Sequence, residues 1–174
     1  MTPVTSKICV VGDFAVGKTS VVERFVSNHF SDKYLSTVGV KIDTRDVEID
    51  DLQVSHKLVI WDVAGADQFG EREFSYLRGA SGFIFVADGT RALTLRSAEN
   101  LRAQICERYD EAPAVMLVNK KDLVADYHLS EERREKLQTS FDSVYSTSAK
   151  TGEDVDDAMQ RLSRLIINRD IQGR

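Results

Sequence analysis

Residues 12–19 carry a spacing of residue types that can bind phosphate. They are Gly-Asp-Phe-Ala-Val-Gly-Lys-Thr and fit the pattern G-x-x-x-x-G-K-[ST]. The apolar run Ile8–Val11 precedes them and a helical pattern, Ser20–Val26, follows, which is the strand–loop–helix context that this pattern requires. The two glycines allow a tight turn in which successive N–H groups point at phosphate oxygens. We therefore predict that this segment, called the phosphate loop below, binds nucleotide phosphates.

Two side chains at the end of the phosphate loop have separate predicted roles. Lys18 supplies a positive charge to the β- and γ-phosphates, and Thr19 offers its hydroxyl to Mg²⁺. The alternative is an ordinary glycine-rich connection between a strand and a helix. The remaining residues of the predicted phosphate site are Asp13, Phe14, Ala15, Val16, Gly17 and Ser20.

The segment Trp61–Gly65 places a carboxylate at the end of another apolar strand pattern. Asp62 at such a strand end can reach Mg²⁺ through a bound water. Gly65 has no side chain to keep its N–H from a γ-phosphate. By itself D-x-x-G is often only a turn, so its weight comes from following a phosphate loop.

Two further segments have the chemistry to recognise a base. Asn119-Lys120-Lys121-Asp122 follows the apolar run 114–118. The Asp122 carboxylate can accept from both N1–H and N2–H of guanine, a donor pair that adenine lacks. The stem of Lys120 can lie along the base, and Asn119 can tie this loop to the phosphate loop. A polar turn after a buried strand is the alternative.

The second segment, Thr147-Ser148-Ala149-Lys150, comes after a short strand pattern at 143–145. The Ala149 N–H can donate to the guanine O6, and Ser148 and Lys150 complete the predicted base site. This segment predicts little when taken by itself.

The elements that must position these residues alternate along the chain. Strand patterns at 7–11, 58–62, 83–87 and 114–118 alternate with helical patterns near 18–28, 94–109, 130–139 and 153–167. This alternation predicts an α/β fold with a mainly parallel sheet. Residues 41–50 and 53–62 predict an antiparallel hairpin whose first strand lies at the sheet edge. With 174 residues, we expect a single domain over 1–174.

The composition predicts where the chain resides and what it does not bind. A net charge of −5 without a block of like charges argues against nucleic acid and anionic membranes as partners. Cys9 and Cys106 are expected to be buried hydrophobic residues, as in a reducing cytoplasm. No C-terminal cysteine is present for prenylation, and Met1-Thr2 excludes myristoylation. We expect a cytoplasmic chain that encodes no lipid anchor.

Taken together, the phosphate loop, Thr37, D-x-x-G, N-K-x-D and S-A-K resemble the Ras superfamily of small GTPases over about residues 6–168. Residues 37–40, Trp61-Asp62 and 76–80 are most similar to the Rab branch. The resemblance implies an α/β fold with a six-stranded, mainly parallel sheet, one antiparallel edge strand and helices on both faces. It also implies a monomer that binds GTP or GDP together with Mg²⁺.

The same resemblance implies further roles for residues and surfaces. Thr37 would join Mg²⁺ through its hydroxyl and the γ-phosphate through its N–H. Phe30 would pack against guanine, and Tyr34 would cover the phosphates. Protein regulators and effectors would bind switch I (31–42) and switch II (65–80). The residues expected to serve hydrolysis are Lys18, Thr37, Gly65 and Gln68.

Several positions depart from the family pattern. A glutamine that orients the attacking water normally follows the D-x-x-G glycine, but here the residue is Ala66, which predicts slow hydrolysis. Gln68 can replace it only if the loop shifts, and Arg72 is a weaker candidate for an arginine supplied in cis. The bulk of Phe14 is expected to hinder an arginine supplied by a partner.

A further departure concerns partner recognition. Of the three aromatic residues on Rab-type effector surfaces, Trp61 and Tyr76 are present, while Ile42 occupies the first position. This difference predicts an altered set of partners.

Three functions remain open on the sequence. The first is a slow GTP/GDP switch, and the second is a GTP-loaded interaction module with negligible turnover. The third, a kinase or ATPase with a phosphate loop, is disfavoured by Asp122.

Overall fold

The computed structural model describes residues 1–32, 37, 39–65 and 69–173. Three predicted positions, Tyr34, Ala66 and Gln68, lie outside the described residues.

The strands and helices follow the predicted alternation. The strands are β1 (Thr2–Val11), β2 (Val40–Ile49), β3 (Val54–Val63), β4 (Gly82–Asp88), β5 (Ala114–Asn119) and β6 (Ser143–Ser146). The α-helices of the described ranges are α1 (Lys18–Ser27), α2 (Glu71–Tyr76), α3 (Ala92–Arg108), α4 (Glu131–Leu137) and α5 (Val155–Gln172). Strand β1 begins earlier than its apolar run because its polar first half pairs with β3 from Thr2 onwards.

The sheet has the strand order β2-β3-β1-β4-β5-β6. Among the strand pairs of the described residues, β2–β3 alone is antiparallel, and β2 lies at the edge, so the predicted sheet is confirmed. The chain places β3 on one side of β1 and β4 on the other. Such a reversal opens a crevice at the carboxyl ends of the strands, and the phosphate loop begins at the carboxyl end of β1.

Both faces of the sheet are covered, which explains why the central strands are continuously apolar. On β1, Ile8 and Val10 face a cluster that includes side chains of α1 and α5. Cys9 and Val11 face the opposite cluster, which includes side chains of α2 and α3. The apolar packing on both faces holds the strand ends in a fixed arrangement.

The two cysteines differ in environment. Cys9 is fully buried, and burial raises the pKa of its thiol to about 12. Cys106 is exposed, so the prediction that it is buried is wrong. Helix α3 buries its neighbour Ile105, and adjacent residues on a helix point in different directions.

Within the part of the chain that the structure describes, no helix combines the length and apolarity needed to cross a membrane.

A histidine lies in the interior between the sheet and α5. His56 is fully buried, with Nδ1 2.6 Å from Ser163 Oγ and Nε2 2.8 Å from Ser6 Oγ. Burial lowers the pKa of His56, although the charge of Asp170 opposes the shift. His56 therefore favours its neutral form in the folded protein.

This burial predicts a pH dependence of stability. The unfolded chain takes up a proton at His56 below about pH 6.5, before the folded protein does. The free energy of unfolding should therefore fall as the pH drops from about 6.5 towards the lower folded-state pKa. Urea titrations at about pH 7, 6 and 5 will measure the slope. The dependence of the unfolding free energy on pH should be weaker than wild type in His56→Gln. It should match wild type in His128→Gln, which alters an exposed histidine. Equal slopes in all three proteins would contradict the prediction.

Candidate functional site

One cavity of about 390 Å³ lies where the phosphate loop, α1 and the loop after β5 meet. Most of the residues predicted to bind the nucleotide line this cavity. They are Phe14, Ala15, Gly17, Lys18, Thr19, Ser20, Phe30, Thr37, Gly65, Asn119, Lys120, Asp122, Ala149 and Lys150. Sequence reasoning missed four other lining residues, Glu23, Ser31, Asp32 and Leu123.

Among the described residues, four predicted ones do not line the cavity wall. The side chain of Val16 is fully buried in the core, so only its backbone is available to a ligand. Ser148 lies behind the wall and donates to Asp122 Oδ1 at 2.7 Å. Asp13 presents its carbonyl to Lys18, and Asp62 is fully buried behind Thr19.

Backbone carbonyls of the phosphate loop accept hydrogen bonds from side chains at four consecutive residues. The pairs are Asp13 O with Lys18 Nζ at 2.8 Å, Phe14 O with Arg91 Nη2 at 2.8 Å, Ala15 O with Lys120 Nζ at 2.8 Å, and Val16 O with Asn119 Nδ2 at 3.1 Å. In a planar trans peptide the N–H points opposite to the C=O. These contacts therefore also set the directions of the next four N–H groups.

Asp88, at the end of β4, holds two of those side chains. Its carboxylate is 2.8 Å from Lys120 Nζ and 3.1 Å from Arg91 Nε, and it accepts from both the N–H and the hydroxyl of Thr90. Burial alone would raise the pKa of Asp88, but hydrogen bonds from Lys120, Thr90 and Arg91 outweigh burial and lower it. The carboxylate thus remains charged beneath the loop.

Sequence reasoning missed Asp88, Thr90 and Arg91. A signal was present, because Asp88 ends an apolar strand pattern just as Asp62 does.

The Lys18 ammonium group is almost fully buried at the cavity. Burial lowers its pKa to about 8, while Asp62 and Asp13 oppose the shift and Arg91 adds to it. Gly65 lies against this group, since a Cβ there would be 2.8 Å from Lys18 Nζ and 2.7 Å from Phe14 N. Only glycine fits so close to the phosphate loop.

Three oxygen-bearing side chains converge beside Lys18. Thr19 Oγ1 donates to Asp62 Oδ2 at 2.6 Å and is hydrogen-bonded to the Thr37 hydroxyl. Asp62 Oδ1 is buried and has no hydrogen-bond partner among the described residues. Burial raises the pKa of Asp62, against the effects of Thr19 and Lys18.

These oxygens fit Mg²⁺, which prefers hard oxygen ligands and takes few of them from protein. Within the described ranges, no group of three or more His, Cys, Asp or Glu side chains is placed to hold a metal. A magnesium site with a single carboxylate does not require such a group.

The residues predicted to bind the base lie in the loops after β5 and β6. There Ser148 holds Asp122, and Asn119 connects these two loops to the phosphate loop. Asn119 Oδ1 accepts from Thr147 Oγ1 and from the Ala149 N–H, each at 3.2 Å, while its Nδ2 donates to the phosphate loop. The Ala149 N–H thus has a protein partner that the sequence did not indicate.

The structure also places the described residues that were considered for arginine access and for partner recognition. Phe14 lines the cavity and is 49% exposed. Arg72 forms an ion pair with Glu73 at 3.4 Å and does not line the cavity. Ile42 is exposed, and the half-buried Trp61 ring has Lys7 Nζ 3.6 Å from its centroid.

Comparisons with known proteins agree with this fold. The sequence profile described as the Ras family matches residues 7–168. The chain is 33% identical to Ras-related protein Rab-32C of Dictyostelium discoideum, over 94% of this chain and 74% of that protein. It is 34% identical to Ras-related protein Rab-13 of Mesocricetus auratus, over 92% and 79% of the two chains.

A third relative, Ras-related protein Rab-8A of Pongo abelii, is 35% identical over 91% of this chain and 76% of that protein. Because the profile covers nearly the whole chain and these relatives exceed 30% identity, the chain belongs to the Ras family and is a Rab-like small GTPase.

Proposed function

We propose that the cavity binds GDP and GTP together with Mg²⁺, and that this chain is a molecular switch that hydrolyses GTP slowly. The observation that carries the proposal is that one cavity is lined both by Lys18 with the phosphate loop and by Asp122 with Ala149. Groups suited to bind phosphates and groups suited to bind a base therefore line the same cavity. Membership of a family of small GTPases supports a GTPase switch in general.

Asp122 is the proposed determinant of base specificity. Its Oδ1 already accepts from Ser148, which holds the carboxylate in place for the N1–H and N2–H of guanine. Phe30 and the stem of Lys120 would cover the faces of the base. An O6 contact from Ala149 would be shared with Asn119, which accepts from the same N–H.

In the proposed reaction, a water oxygen bonds to the γ-phosphorus while the bond to the β–γ bridging oxygen breaks. The electron pair of the broken bond stays with GDP, and a proton of the water passes to an oxygen of the released phosphate or to solvent. Lys18 and the phosphate-loop N–H groups would stabilise the charge that moves onto the oxygens. Thr19, Thr37 and Asp62 would hold Mg²⁺. When bound, Mg²⁺ neutralises part of the charge on the β- and γ-phosphates.

The proposed slowness rests on Ala66, which lies outside the described residues. A methyl group cannot orient a water molecule, and Gln68 would act only from a shifted loop. Ala66 and Phe14 also support a second candidate function, an interaction module that keeps its GTP with negligible turnover.

We also propose that regulators and effectors bind switch I and switch II of a monomer. Ile42 and Trp61 are the exposed and half-buried apolar groups that such a partner would cover. The substitution of an aromatic residue by Ile42 leads us to expect partners that differ from those of typical Rab proteins.

The first prediction concerns hydrolysis. Ala66→Gln should accelerate single-turnover hydrolysis of preloaded GTP on the order of 10²-fold, the contribution expected of one positioned group. The measurement is phosphate release at saturating Mg²⁺. A wild type that already turns over readily, with little change in the variant, would show that another residue orients the water. A wild type that is inert with or without the substitution would favour the interaction module.

The second prediction concerns the base. Asp122→Asn should weaken GDP binding roughly 100-fold, because the amide cannot accept from both guanine N–H groups and leaves one unpaired. It should improve binding of xanthosine diphosphate, whose C2 carbonyl can accept from the new amide. Competition binding with both nucleotides will measure this change. Asp126→Asn, an exposed change on the same loop, is the control and should alter neither affinity.

The third prediction concerns the metal. Thr19→Val removes a hydroxyl with little change in volume, so GDP retention should require a higher Mg²⁺ concentration, roughly tenfold. The readout is GDP release across a Mg²⁺ titration. Ser27→Ala, near the end of the same helix, removes a hydroxyl that bonds Glu23 O and should leave the titration unchanged. An unchanged titration in Thr19→Val would remove Thr19 from the metal site.

A further inference from the structure

Arg91 connects the end of β4 to the phosphate loop. Its Nε lies 3.1 Å from Asp88 Oδ2, and its Nη2 donates to the carbonyl of Phe14 at 2.8 Å. Lys120 makes the parallel connection, from the same Asp88 oxygen to the carbonyl of Ala15. One buried carboxylate therefore anchors two cations that hold consecutive carbonyls.

The residue between these two peptides has an unfavourable backbone conformation. Ala15 has φ +63°, a left-handed value that costs free energy for a residue with a Cβ. Arg91 holds the peptide before Ala15, and Lys120 holds the peptide after it. The two cations thus fix both sides of the strained residue.

A contact that fixes the direction of a carbonyl also fixes the direction of the N–H of the next residue. The Phe14 carbonyl and the Ala15 N–H belong to one planar peptide and point in opposite directions. The contact with Arg91 therefore turns the Ala15 N–H away from the guanidinium group. Consecutive N–H groups around a left-handed residue form a concave site for anions.

We propose that Arg91 is a positioning residue for nucleotide phosphates: it holds the Phe14–Ala15 peptide so that the Ala15 N–H faces the phosphate chain. This inference rests on the proposed function of the cavity. Arg91 would act through the loop rather than by touching the nucleotide.

The chemistry of arginine suits this role. Bridging Asp88 and the Phe14 carbonyl takes two donors in a rigid, planar arrangement, which a lysine does not have. The Arg91 side chain is 45% exposed, and without it the buried Asp88 carboxylate still has Lys120 and Thr90 as partners. Its loss should therefore affect phosphate binding more than folding.

The test compares Arg91→Ala and Arg91→Lys with a matched control, Arg164→Ala. Arg164 is 40% exposed and pairs with Asp51 at 2.7 Å, outside the residues that line the cavity. The measurements are release of fluorescently labelled GDP, competition affinities for GDP and GMP, and thermal unfolding. GMP lacks the second phosphate, so the ratio of the two affinities isolates the phosphate contribution.

We expect both Arg91 variants to release GDP about tenfold faster than wild type, and the ratio of GDP to GMP affinity to fall by a similar factor. Thermal midpoints should stay within about 2 °C of the control variant. Arg91→Lys separates bridging from charge, because it keeps the cation but loses one of the two contacts.

Two results would overturn the inference while leaving the proposed function intact. One is release of GDP from Arg91→Ala at the rate of Arg164→Ala. The other is an equal loss of GDP and GMP affinity, which would indicate general damage to the site. Failure of wild type to bind GDP would instead reject the proposed function, and the inference with it.

Discussion

The candidate site depends on the orientation of a few peptide groups in the phosphate loop. Four consecutive carbonyls, from Asp13 to Val16, each accept a hydrogen bond from a side chain. The donors are two lysines, an arginine and an asparagine, and all but Lys18 come from outside the loop. Each of these bonds satisfies a backbone acceptor, and together they select one conformation of the loop.

The parallel sheet brings these donors to the loop. Asp88 and Asn119 end neighbouring strands and are paired in register, and β4 lies directly beside β1. The carboxyl ends of parallel strands meet at one edge of the sheet, so residues far apart in sequence reach the same loop. Apolar packing on both faces keeps these strand ends in place, which gives the short polar contacts a rigid base.

Positive charge is concentrated around the phosphate loop and is compensated there by buried carboxylates. The chain carries a net charge of −5, yet Lys18, Lys120 and Arg91 all lie at or directly behind the phosphate loop. Asp62 and Asp88 compensate them from buried positions. A cation that is anchored by a buried carboxylate cannot move freely to a phosphate, so Arg91 and Lys120 are better placed to hold the loop than to follow the ligand.

The sequence by itself determined the strand and helix alternation, the edge hairpin and the local motifs, because each depends on nearby residues and their spacing. Lys18, Asp122 and Ala149 were predicted from short segments, and all three line one cavity. The prediction that Cys106 is buried was wrong, because a helical pattern does not tell which faces of α3 are covered by neighbouring elements. Only the tertiary structure brought Arg91 to the Phe14 carbonyl, which is 77 residues away in the chain. That contact depends on the pairing of β1 with β4, and strand order arises from long-range packing that no local pattern encodes.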